Sequence, residues 1–170
     1  NPTTGKEELV ETDPLKRVDF GNAMFSEVSD ELIATVYDDE RERKYWKDKS
    51  FEADYKNLQK QLPGKEINFG SSTKDEKLFL IAANADTDPG STYLYDRTTK
   101  KLTLQYQARE KLNRSHLAPM KPVTYPSSDG LEIPAYLTLP KGVEAKNLPV
   151  VILPHGGPWY RDSWGYDAFA

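Results

Sequence analysis

The residues best suited to chemistry stand near the end of the chain, where Val150-Val151-Ile152-Leu153 runs into Pro154-His155-Gly156-Gly157-Pro158. An unbroken apolar run between Pro149 and Pro154 reads as a short strand buried on both faces, as in a parallel sheet. The glycines that follow let the backbone come close to another group, with no Cβ in the way. Open α/β sheets place ligands and catalytic groups beyond the ends of such strands. A backbone N–H held there is suited to stabilising a negative charge that develops on oxygen. The turn has no nucleophile beside it. Gly70-Ser71-Ser72-Thr73 lacks the second glycine of a nucleophile elbow, and no other serine comes closer to that pattern. Neither His116 nor His155 has a carboxylate at helical spacing, which makes a poor metal site, so no metal or cofactor is expected.

Composition narrows the setting. With 170 residues, 37% hydrophobic and 29% charged, the chain is too apolar to be disordered and long enough for one domain or parts of two. A net charge of -4 with no basic block argues against nucleic acid as a partner. There is no cysteine, which excludes a disulfide framework and thiolate metal sites but fits either side of a membrane. No apolar run approaches the roughly 20 residues of a membrane span. The chain begins with Asn1 and shows no signal peptide, so it is expected to be a piece of a longer protein, in a compartment the residues do not fix.

The elements that must position the glycine turn repeat. Phe25-Ser26-Glu27-Val28-Ser29-Asp30-Glu31-Leu32 is echoed from Phe69 to Leu80, an offset of about 45 residues, the period of propeller blades. Each copy reads as a strand, a tight polar turn at Asp-Glu and a more apolar strand. A further hairpin spans Tyr93 to Leu104 around Asp96-Arg97-Thr98-Thr99, and Thr3 to Val10 resembles its second half, a turn and then a strand. Between the echoes, Phe51, Tyr55, Leu58 and Leu62 form one helical stripe, capped by Ser50 or Asp48 and ended by Pro63-Gly64. The mixed charges from Asp38 to Lys44 read as solvated loop or helix surface. Ala118-Pro119-Met120-Lys121-Pro122 is a proline-punctuated linker. An antiparallel hairpin follows, Val123–Tyr125 and Ile133–Leu139, with Ser127-Ser128-Asp129-Gly130 at its tip. The domain boundary is expected near Ala118–Lys121.

Asp129-Gly130-Leu131-Glu132-Ile133-Pro134-Ala135-Tyr136-Leu137, followed by Leu153-Pro154-His155-Gly156-Gly157-Pro158-Trp159, resembles the prolyl oligopeptidase family of serine peptidases. The nearer likeness is to its acylaminoacyl-peptidase-like and bacterial dipeptidyl-peptidase-like members. The resemblance covers the whole chain loosely and residues 120–167 closely. It implies a mainly β chain: residues 1–118 as the last blades of a partial β-propeller, with one inserted helix, and 119–170 as the first strands of an α/β-hydrolase domain. Gly157 would then offer its N–H to the tetrahedral intermediate, and Gly156 would allow the turn that aims it. His155 stands where some relatives carry an oxyanion-binding tyrosine, and either donates or orients the loop. Trp159, Tyr160 and Arg161 would pack beside or line the substrate cleft, with Arg161 and Asp162 ordering the loop.

The family places its Ser, Asp and His triad, in that order, beyond the last residue of this sequence. The implied parent is a serine peptidase acting on short peptides, and this chain alone would be inactive. An esterase on the same scaffold and a non-catalytic propeller binding module are the alternatives, because fold does not fix function. Open blade edges would invite self-association of such a piece.

Overall fold

A computed structural model of the chain describes residues 3–170. Its elements are strands β1 (Asn22–Phe25), β2 (Leu32–Asp38) and β3 (Glu42–Trp46), helix α1 (Lys49–Gln61), then strands β4 (Glu66–Ser72), β5 (Leu78–Ala85), β6 (Asp88–Asp96), β7 (Lys101–Gln107), β8 (Met120–Pro126) and β9 (Glu132–Thr138). All pairing is antiparallel. The strands form a three-stranded sheet β1-β2-β3, a four-stranded sheet β4-β5-β6-β7 and the hairpin β8-β9. The chain is thus mainly β, with one α-helix and no closed barrel among the described residues.

The repeated turns close alike. Ser26 N donates to Glu31 O at 2.9 Å and Thr73 N to Leu78 O at 3.0 Å, so each first strand returns through a loop of the same span. The two loops also meet: the buried Glu76 carboxylate accepts Ser26 Oγ at 2.9 Å and Glu27 N at 2.7 Å, tying one sheet to the other.

Helix α1 fills the space between the sheets. Asp48 caps it, accepting Ser50 N at 2.7 Å and Phe51 N at 3.0 Å. The cap choice left open between Ser50 and Asp48 is settled by geometry: Asp48 is extended at φ -99°, outside the helix, with its carboxylate turned back onto the first turn. Phe51, Leu58 and Leu62 join Ile33, Ala34, Ile67, Phe79, Ile81 and Tyr95 in one buried core. Phe51, Phe69 and Phe79 meet edge to face with ring centroids 5.4–5.8 Å apart. Asp54 shares that buried face at 1% exposure. Its carboxylate accepts Tyr95 Oη at 2.8 Å and Arg97 Nε at 2.7 Å, and pairs with Lys100. The Arg97 guanidinium also lies 3.8 Å over the Phe51 ring.

Three sequence expectations need correction. The Asp38–Lys44 run is neither free loop nor helix surface: it is the β2–β3 turn and the start of a half-buried strand. β-pairing of Tyr37 with Arg43 and of Asp38 with Glu42 overrides the polar composition. Residues 5–10 form no strand, because no described strand lies alongside them, and Leu9 and Val10 are each 83% exposed. Val150–Leu153 likewise forms no strand and is exposed, Val151 at 90%. A buried parallel strand needs a ladder partner and a covered face, and β8-β9 pairs only with itself. That hairpin does form as expected, its tip closed by Ser127 N to Leu131 O at 2.7 Å, with Gly130 left-handed at φ +87°.

Truncating Asp54 to Ala leaves the largely buried Arg97 and the Tyr95 hydroxyl without their carboxylate partner. Its unfolding free energy should fall by about 3 kcal/mol, whereas Asp48→Ala at the cap should cost about 1 kcal/mol. Chemical denaturation followed by tryptophan fluorescence measures both.

Candidate functional site

The candidate site is built on the β2–β3 turn, Asp38 to Arg41. Asp13, 4% exposed, sits beneath it and is followed by Pro14. Its carboxylate accepts the backbone N–H groups of Leu15 at 3.1 Å, Arg17 at 2.8 Å and Val18 at 3.2 Å, forming a local turn. Arg43, from β3, adds a two-pronged contact to the same carboxylate, both distances 2.8 Å. Arg43 also meets Asp39 at 3.0 Å, and Arg17 reaches Asp39 at 3.2 Å and Glu40 at 2.6 Å. The Asp13 carboxyl is held far below the ordinary carboxylate range, by the Arg43 guanidinium first and, despite desolvation, by the backbone donors as well.

With its side chains fixed from below, the turn presents backbone carbonyls outward. Tyr136 Oη, from β9, shares its one hydrogen between Asp39 O at 3.2 Å and Glu40 O at 3.1 Å. Arg161 Nη1 donates to Asp38 O at 2.7 Å and Nη2 to Asp39 O at 3.1 Å. Arg161 Nε meets the backbone O of Asp162 at 3.3 Å, so the expected Arg161–Asp162 ordering runs through main chain rather than carboxylate. Ser163 Oγ donates to the Asp38 carboxylate. Trp164 Nε1 donates to Met120 O at 2.9 Å, and its ring carries the Arg41 guanidinium 3.7 Å above it. Residues 161–164 are thereby fixed to the first sheet and to the start of β8.

The glycine turn lies just upstream. Gly157 has φ +152°, a conformation that favours glycine, and a Cβ there would stand 3.1 Å from Trp159 N and 3.4 Å from the Tyr160 Cβ. Gly156 has open space where its Cβ would be. Tyr160 N donates to Pro158 O at 3.0 Å, closing a tight turn between Gly157 and Arg161. His155 Nδ1 lies 2.8 Å from Gly156 O, and its ring meets Tyr160 edge-on at 6.3 Å. Trp159 and Tyr160 are 96% and 70% exposed. The sequence-derived residues Gly156, Gly157, His155, Trp159, Tyr160 and Arg161 thus share one loop, whose only deep anchor among them is Arg161. His116 belongs to a separate 3-10 turn, Arg114–His116, beside Asn113. Asp13, Asp39, Arg43 and Tyr136 were not legible as parts of the site. Asp13-Pro14 carries the one local signal, an Asx turn.

Compared with curated proteins, the chain matches two proteins named as dipeptidyl peptidases along most of its own length, which supports its resemblance to the prolyl oligopeptidase-like peptidases. It is similar to dipeptidyl aminopeptidase BIII of Pseudoxanthomonas mexicana, 35% identical over 175 residues, which cover 98% of this chain and 25% of that protein. It is also similar to dipeptidyl peptidase family member 6 of Caenorhabditis elegans, 23% identical over 172 residues, 89% of this chain and 23% of that protein. The chain spans about a quarter of the length of these curated relatives. No family model and no solved structure matches it.

Because folded Asp13 stays ionised well below the ordinary range, the stability it contributes is present above the unfolded aspartate pKa of about 4 and is lost as pH falls further. Below that value the unfolded chain takes up a proton that folded Asp13 refuses. Urea midpoints at pH 6 and pH 3 should therefore differ less in Asp13→Asn than in the unaltered protein, with the variant already weaker at pH 6.

Proposed function

We propose that this chain is the junction of a serine peptidase, with residues 3–118 as propeller blades and 119–170 as the start of the hydrolase domain. The observation that carries the reading is the match to a protein named as a dipeptidyl aminopeptidase over 98% of the chain. Both relatives are named as dipeptidyl peptidases, which favours the release of dipeptides from short peptides. In this reading a serine elsewhere in the parent protein attacks the peptide carbonyl, a histidine takes and returns the proton, and an aspartate orients the histidine. Gly157 contributes the backbone N–H that meets the carbonyl oxygen once it becomes an oxyanion, a contact made fully only in the transition state. Its φ of +152°, with a Cβ only 3.1 Å from Trp159 N, calls for glycine at this position. His155, beside Gly156 O, orients the loop or adds a second donor, and Trp159 and Tyr160 offer exposed aromatic surface to a peptide.

The test uses the full-length protein. A fluorophosphonate probe should label it, and it should hydrolyse a dipeptidyl anilide with a free N-terminus. Gly157→Val should lower kcat by about 10²–10³-fold, the size of losing one oxyanion donor, with KM changed little. An unlabelled, inactive full-length protein would favour the non-catalytic binding module. Hydrolysis of simple esters without peptides would favour the esterase.

A further inference from the structure

The glycine turn is short of contacts of its own. His155, Trp159 and Tyr160 are exposed, and Val150–Leu153 upstream has no ladder to hold it. Yet an oxyanion donor is useful only when it is fixed before the charge appears. Some group must supply that rigidity, and Arg161 is the nearest residue fixed to the rest of the fold.

We infer that Arg161 is a positioning residue which latches the glycine turn to the β2–β3 turn of the blade, so that the propeller sets the aim of Gly157. The inference rests on the peptidase reading for its functional half. The physical chain is continuous. Asp13 and Asp39 hold Arg43, and with it the turn; Asp38 O and Asp39 O accept the two terminal nitrogens of Arg161 at 2.7 and 3.1 Å. Tyr160 N to Pro158 O, at 3.0 Å, makes the next three residues one compact turn, and that turn packs directly against Gly157. A planar guanidinium suits this role, because two parallel N–H donors meet two neighbouring carbonyls and fix direction as well as distance. With Nε also engaged at Asp162 O, the fork faces main chain of this protein, not a substrate carboxylate. Ser163 and Trp164 add a second grip on the C-terminal side of Arg161, on Asp38 and Met120.

Such a residue differs from a substrate-binding arginine in its kinetics. A positioning loss leaves substrate affinity in place and lowers the chemical step, because a misplacement of about 1 Å can cost up to about 100-fold in rate. In the full-length protein, Arg161→Ala should lower kcat by about 10–100-fold with KM within about twofold, and Arg161→Lys should recover only part of it, since one ammonium cannot reproduce the fork. Amide hydrogen exchange of residues 156–164 should quicken in both variants, while exchange of β2 and α1 stays as it was. A rise in KM with kcat kept, and no change in exchange, would overturn the latch and make Arg161 a substrate contact. If the unaltered protein proves to have no peptidase activity, the exchange measurement still decides. Faster exchange would uphold the latch while the peptidase reading fails, and unchanged exchange would overturn the latch as well.

Discussion

The two-pronged contact between Arg43 and Asp13 is the interaction on which the candidate site depends. Two buried carboxylates, Asp13 and Asp39, lie around one guanidinium. Taking such charges out of water is expensive, and the attraction repays it only when the remaining hydrogen-bonding capacity is also met. Here it is met: three backbone N–H groups complete Asp13, and Arg17 completes Asp39. The result is a β2–β3 turn that cannot shift without exposing or orphaning a charge. Its outward carbonyls then become fixed acceptors, which a turn held only by its own hydrogen bonds would not provide.

The rest of the fold uses the same device at a different place. Asp54, next to the apolar stripe of α1, collects Tyr95, Arg97 and Lys100 from β6 and the turn after it, and so binds the helix to the four-stranded sheet. Glu76 links the second sheet back to Ser26 and Glu27 of the first. Apolar packing supplies the bulk of the cohesion through the Phe51–Phe69–Phe79 cluster, but these carboxylates fix the relative positions of elements that would otherwise slide. The loop carrying Gly157 is the last link in this arrangement. It has little core of its own, and it is tied to the β2–β3 turn and the start of β8 through Arg161, Ser163 and Trp164.

Much of the architecture was legible because it is written in local patterns. The Phe51–Leu62 spacing, a helix start at Asp48 or Ser50, the two echoing turns and the Asp129-Gly130 hairpin tip depend on residues close in sequence, and all of them form, with Asp48 as the cap. What escaped reading depends on partners far away. The Asp38–Lys44 charges resemble solvent-facing surface because their counter-charges, Asp13 and Arg17, come from a segment with no periodicity of its own. Asp54 has the residue type of a helix surface, although its place next to the stripe puts it inside. Val150–Leu153 carries the composition of a buried strand, but a strand is defined by its neighbours, and these residues meet none in the described structure. At the site, the glycines were legible from their type and spacing, whereas the anchoring of Arg161 onto main-chain carbonyls has no sequence signature at all.

In the proposed reading, Gly157 is an oxyanion donor whose aim is set from the β2–β3 turn. A crystal structure of the full-length protein bound covalently to a peptidyl phosphonate or boronate tests it most directly. The expected result is an inhibitor oxygen about 2.7–3.1 Å from Gly157 N, with Arg161 still on Asp38 O and Asp39 O. An inhibitor oxygen held by other donors, with Gly157 N turned away from it, would contradict the claim.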